Sequence, residues 1–117
     1  MAAGTTVDTL LDILELVERI RHQTAGLDRE VFIANHDVLY ATAYRLLAIG
    51  ESARAVDDEL RSRHAHVPWR DIVAMRNFLA HEYFLRESEI IWETVQTGLP
   101  DLADACRTES ARLGWTD

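Results

Sequence analysis

The sequence predicts an all-α fold: an up-and-down four-helix bundle with a kinked last helix. Three observations carry this. Apolar residues recur at three- and four-residue steps through long segments. Short breaks containing Gly, Asp, Asn or Pro divide those segments, and nowhere does the alternation of a half-buried strand occur. At 117 residues the chain makes one domain, 1–117, able to bury about two-thirds of its unfolded surface without metal or disulfide.

The first helix is expected from about Val7 to Ala25. Leu10, Ile13, Leu14, Val17 and Ile20 form its apolar stripe, with Asp12, Glu15, Glu18 and Arg19 between them, and Gly26 ends it. Asp28 is placed to cap a short turn through Phe32 and Ile33. Asn35 then caps a long second helix, roughly His36 to Arg63, with Val38, Leu39, Ala41, Leu46, Ile49, Ala53, Val56 and Leu60 inward. Gly50 inside it costs about 1 kcal/mol against Ala, which points to close approach by another helix. Glu51 beside it either orients a site residue or is a solvated or salt-bridged Glu.

His64 and His66 fall where that helix ends. They share no helical face and have no recognised ligand pattern near them, so they are read as loop residues and not as metal ligands. Pro68 suits the first turn of the third helix, whose Trp69, Ile72, Val73, Met75, Phe78 and Leu79 pack inward. Ser88 is expected to cap the last helix, carrying Ile90, Ile91, Trp92 and Val95 and resuming with Leu99, Leu102, Ala103 and Cys106. Gly98 and Pro100 should kink it, because proline lacks the donor and its ring crowds the preceding turn. Residues from Leu113 onward are expected to fray.

Composition narrows function. A net charge of −8 argues against a broad nucleic-acid surface, so any RNA contact must be local. All 12 basic residues are Arg. A single cysteine, Cys106, excludes an internal disulfide and suits a reducing cytoplasm. No apolar run reaches the ~20 residues of a membrane span, and the first residues lack signal-peptide features; a soluble cytoplasmic protein with no membrane partner is expected.

The densest chemistry lies in Met75-Arg76-Asn77-Phe78-Leu79-Ala80-His81-Glu82-Tyr83-Phe84. At about 100° per residue, Arg76 and Tyr83 fall within roughly 20° of each other on a helix, whereas His81 stands about 140° from Arg76. Either the helix breaks near His81 or a second copy of the chain completes the site. Arg70 and Arg86 make this neighbourhood mostly basic, diluted by Asp71, Glu82 and Glu87. Phe84 is read as core or interface, not as a stacking platform.

Arg, four residues, His, one residue, Tyr resembles the motif of the HepT-like toxins of the HEPN superfamily. The Arg76-Asn77 opening, Gly50-Glu51-Ser52 and Pro68-Trp69 resemble that family as well. The resemblance implies a HEPN-type four-helix bundle that forms a homodimer, with the motif helices facing each other. It also implies a metal-independent endoribonuclease restrained by an MNT-type nucleotidyltransferase antitoxin, which transfers AMP to the Tyr83 hydroxyl.

The residues suit that chemistry without a cofactor. RNA carries its own nucleophile, the 2′-hydroxyl; a neutral-pKa imidazole moves protons, and a guanidinium stabilises charge gathering on phosphorus. His81 is then the acid or base, Arg76 the phosphate clamp, Asn77 a positioning residue, and Tyr83 a substrate contact or the residue that orients His81. DNA lacks the 2′-hydroxyl and should not be cleaved. The competing reading is a non-catalytic helical module that binds nucleotide, or docks and assists a nucleotidyltransferase.

Overall fold

A computed structural model describes residues 3–81 and 87–115. Helix α1, Ala3–Thr24, runs from the N-terminal segment to Gly26, whose φ of +78° ends it in the left-handed conformation that glycine adopts without strain. Asp28 caps α2, Arg29–Ala34, accepting from Val31 N–H at 2.9 Å, and Asn35 caps α3, His36–Ala53, accepting from Val38 N–H at 3.2 Å. Both caps follow from short side-chain oxygens placed three residues before otherwise unpaired amides.

The second long helix is shorter than its apolar pattern suggests. It stops at Ala53; Arg54–Val56 form a turn, and α4, Asp58–Arg63, starts anew from Asp57, whose carboxylate accepts from Leu60 N–H at 2.8 Å. Val56 and Leu60 are buried all the same, so the inner stripe was legible although the break was not. The competitor was the cap: Asp57 offers the backbone a local partner that favours a fresh start over continuation.

Helix α5, Trp69–His81, begins after Pro68, whose carbonyl accepts the first helical bond from Ile72 N–H at 3.0 Å. The last unit opens with α6, Ser88–Glu93. Ser88 does not cap it: it is the first helical residue and buried, while Glu87 holds the cap position without a side-chain bond. The helix then widens into a π turn, Thr94–Gly98, and resumes as α7, Leu99–Arg112. Leu99 N–H reaches back five residues to the Thr94 carbonyl. The irregularity expected of Gly98 and Pro100 therefore takes the form of a wide turn next to the proline, which accommodates the missing donor.

Leu113–Trp115 do not trail off. Gly114, at φ +96°, lets its own N–H reach Ala111 O at 3.0 Å and Trp115 N–H reach Ser110 O at 2.9 Å, the paired bonds of a Schellman stop.

Helix α3 packs on both α1 and α5, and α1 on α7, giving an up-and-down four-helix bundle in which α2 and α4 are short connecting helices. Leu10, Ile13, Ile20, Leu39, Ile49, Leu102 and Cys106 are fully buried between the layers, and Phe32 packs at a tilt against Trp92 with 5.2 Å between ring centroids. Gly50 is the close approach its sequence position suggested. A β-carbon there would lie 2.8 Å from the Ile72 carbonyl oxygen and 3.2 Å from Arg76 Cβ, so α3 touches the backbone of α5 one turn before the motif arginine. Among the described residues there is no strand, and no helix is long and apolar enough to cross a membrane.

Candidate active site

The contact at Gly50 sets the site's geometry. Because α3 meets α5 there without a side chain between them, the next residue, Glu51, comes level with Arg76. Its Oε2 lies 3.1 Å from Arg76 Nε, while Oε1 lies 3.4 Å from Arg54 Nη1. Arg76 Nη1 donates to Asn77 Oδ1 at 2.9 Å. The guanidinium is thus held at Nε and Nη1, and its Nη2 edge has no partner among the described residues. Both members of the Arg76–Glu51 pair are about half exposed. Pairs so exposed contribute little to stability; the effect here is to fix the direction of a cation that meets solvent.

Of the residues singled out from sequence, the structure brings together Arg76, Asn77 and Glu51. The α5 backbone remains helical through His81, with no break between Arg76 and His81, so the five-residue step corresponds to about 140° about one axis. Tyr83, Glu82, Phe84 and Arg86 lie outside the described residues, as does the His81 side chain.

Arg76 and Asn77 border an open depression of about 670 Å³ whose other lining residues are Arg54, Arg61, Arg70, Val73 and Ala74. Arg70 was expected near the motif. Arg54 and Arg61 were not; for Arg61 the reason is that a straight helix from His36 to Arg63 would carry it about 12 Å along the axis beyond Ala53. The turn at Arg54–Val56 instead allows Arg61 Nη2 to donate to the Ala53 carbonyl at 2.8 Å, with its guanidinium 6.0 Å from the Trp69 ring centroid. The signal available in sequence was Asp57 followed by Asp58 and Glu59, an N-cap and an acidic first turn inside an apparent helix.

Opposite this depression, across the exposed Ala74, lies a second one of about 560 Å³. It runs between α5 and the α6–π segment and is apolar at Met75, Phe78 and Ile90 and acidic at Asp71, Glu89 and Glu93. Asp71 therefore belongs to the other side of α5 and does not line the arginine depression.

A further charged cluster lies at the end of α4. Glu109 on α7 is almost fully buried and receives Arg63 Nη2 at 2.7 Å, Arg63 Nε at 3.2 Å and His64 Nε2 at 2.7 Å, with Arg112 at 3.5 Å. The Arg63 hydrogen bonds hold its carboxyl down at about 2, against the opposing pull of burial. His64 is thereby tied to a carboxylate instead of lying free in a loop. Cys106, one turn earlier, is fully buried, and desolvation pushes its thiol up to about 12. Among the described residues no group of three or more His, Cys, Asp or Glu is arranged to hold a metal.

The Ribonuclease HepT-like family profile matches residues 13–109, from within α1 to the buried Glu109. The chain belongs to the HepT-like ribonuclease family. A Methanocaldococcus jannaschii protein that bears the name "putative RNase" is 32% identical over 93 residues, 80% of this chain and 77% of that one. The "probable ribonuclease HepT" of Thermococcus cleftensis is 32% identical over 95 residues, 81% and 86% of the two chains. A third relative, a "putative RNase" of Caldanaerobacter subterraneus, is 37% identical over 87 residues, 74% of each. No solved structure matches the chain. For a HepT-like protein, the matched span includes the whole Arg76–Tyr83 stretch together with Gly50 and Glu51.

Proposed function

We propose that this HepT-like protein is the toxin of a toxin–antitoxin pair, a metal-independent endoribonuclease acting in the cytoplasm. The observation that carries the reading is the family match across residues 13–109, which contains Arg76, His81 and Tyr83 in the Arg-x4-His-x-Tyr order. In the proposed reaction the substrate's 2′-oxygen attacks the adjacent phosphorus. The P–O2′ bond forms, the P–O5′ bond breaks, and the products are a 2′,3′-cyclic phosphate and a 5′-hydroxyl. His81 accepts the 2′-hydroxyl proton or supplies one to the departing 5′-oxygen. Arg76, steadied by Glu51 and Asn77, stabilises the added negative charge on the phosphoryl oxygens.

α5 is helical from Arg76 through His81, and that regular spacing, about 140° between the two residues, favours completion of the site by a second copy of the chain. The reading therefore includes a homodimer in which the two motif stretches share a cleft. Control is proposed at Tyr83: a nucleotidyltransferase partner presents ATP, the phenol oxygen attacks the α-phosphorus, and pyrophosphate leaves. The AMP brings about one negative charge and several acceptor oxygens beside the cleft, competing for Arg76 and repelling an RNA phosphate.

The chain's net charge of −8 favours a second reading, a non-catalytic module that docks a nucleotidyltransferase. Purified protein incubated with RNA and a chelator separates the two. Cleavage is expected, with a loss of about 100-fold or more in Arg76→Ala and in His81→Ala at unchanged helical circular dichroism. A docking module would show no activity for either change to remove. Intact-mass spectrometry after co-expression with a partner nucleotidyltransferase should find AMP on Tyr83; an unmodified Tyr83 in an inhibited complex would eliminate that form of control.

A further inference from the structure

The arginine depression is unlike the rest of the charged surface. Several exposed arginines elsewhere lie beside a carboxylate of their own: Arg19 at 3.2 Å from Glu15, Arg21 at 3.8 Å from Glu18, Arg107 at 3.1 Å from Asp104. Around the depression, Arg54, Arg61, Arg70 and Arg76 have, among the described residues, one carboxylate within ion-pair distance, Glu51, shared by Arg54 and Arg76. Arg61 is anchored to a backbone carbonyl and against Trp69. Arg70 is exposed and has no ion-pair partner among the described residues. Among the described residues, four cations with one paired carboxylate make this a locally basic patch on a chain whose total charge is −8.

The lining also indicates what such a patch is for. Among the described residues the depression's remaining lining is Val73, Ala74 and Asn77, which offer no aromatic ring for a base to stack on and too little apolar surface to seat a hydrophobic segment. Guanidinium groups without stacking partners recognise phosphate oxygens and carry no sequence information. The depression adjoins Arg76, the residue assigned to the scissile phosphate. Residues 70, 74 and 77 form one exposed stripe of α5, and position 81 continues it in register, within about 20° of Arg70.

We propose that the depression bounded by Arg54, Arg61, Arg70 and Arg76 is a phosphodiester track that holds the RNA backbone beside the bond to be cut, with Arg54 and Arg70 setting its affinity. This rests on the ribonuclease reading and adds a substrate requirement to it: the RNA must extend past the scissile phosphate, and nucleotides along the track are held without regard to base. Locality also reconciles RNA binding with an acidic chain, since the contact needs only a few arginines.

The test separates binding from cleavage. Fluorescence anisotropy of a labelled 2′-O-methyl RNA oligonucleotide, which cannot supply the nucleophile, is measured against the His81→Ala protein over a range of salt. Arg54→Gln and Arg70→Gln, each added to that background, should weaken binding and reduce the log–log salt slope by about 0.7 per arginine. Arg107→Gln on α7 should leave both unchanged. In the active protein, the two track variants should raise KM on long RNA more than they lower kcat. Track variants that fold natively yet bind with the parent's affinity and slope would overturn the track, and so would a parent that fails to bind the oligonucleotide at low salt. If they lose a partner protein but not RNA, the depression is a protein-docking face and the proposal is wrong. A wild-type protein that cleaves no RNA, while the track variants still weaken oligonucleotide binding, would leave the track standing and remove the ribonuclease reading.

Discussion

Arg76 is useful because three of its neighbours constrain it without neutralising its outer edge. Glu51 binds Nε, Asn77 binds Nη1, and the absence of a side chain at Gly50 lets α3 come close enough for the first of these. Glu51→Ala should therefore lower RNA cleavage while hardly changing the melting temperature, since the pair is half exposed. Glu51→Gln, which can still accept from Arg76, should recover part of the activity; equal activity in both variants would contradict an orienting role. Glu109 is the opposite case, a buried carboxylate whose arginine bonds hold its pKa at about 2 rather than the usual 4.5. A depressed carboxyl contributes stability that is complete above the unfolded value and fades as pH falls from about 4.5 toward 2. Urea unfolding should show that fall in the wild type and a much flatter profile in Glu109→Gln, which is also expected to be less stable at neutral pH because Arg63 and His64 lose their charged partner. The inward position of Glu109 was not read from sequence, although it continues the Leu102–Cys106 line one turn on, because a carboxylate is expected on the solvated face. Nor were its partners, because Arg63 and His64 lie 46 and 45 residues away and no local pattern ties them to it.

At the scale of elements, periodicity and caps located α1, α2, α3 and α5 because each carries its start or stop signal beside its apolar stripe. They failed where two signals competed. Between Ala53 and Asp58 the stripe continues while the cap interrupts, and the cap won. At Ser88 a capping side chain was available, but burial took it into the helix. The first error hid Arg61 from the site, since its convergence with Arg76 depends on the turn between α3 and α4, whereas Arg54 continues the helical path of α3 one turn beyond Glu51. Gly50 was the strongest element-level signal, and it makes a direct prediction. Gly50→Ala gains about 1 kcal/mol of helix propensity but places a carbon 2.8 Å from the Ile72 carbonyl oxygen, where backbone must move. The steric term, typically 1–3 kcal/mol, should win: the urea midpoint falls, and cleavage falls with it as Glu51 is pushed away from Arg76. A Gly50→Ala protein as stable and active as wild type would mean that the α3–α5 contact does not set the site.

For the whole molecule, the motif arginine, its carboxylate and the arginine depression belong to one protomer, while an unbroken α5 keeps positions 76 and 81 about 140° apart on its axis. The account joins these facts by building each active site from two copies of the chain, Arg76 from one and His81 from the other. Subunit mixing in the presence of a chelator tests this most directly. Arg76→Ala and His81→Ala proteins, each inactive alone, are combined under conditions that exchange subunits, and RNA cleavage is followed with end-group analysis of the products. The account predicts that mixing restores activity, because the mixed dimer holds one site with both groups intact, and that the products end in 2′,3′-cyclic phosphate and 5′-hydroxyl. Mixed dimers that form but remain inactive, or single variants that cleave RNA as wild type does, would contradict it.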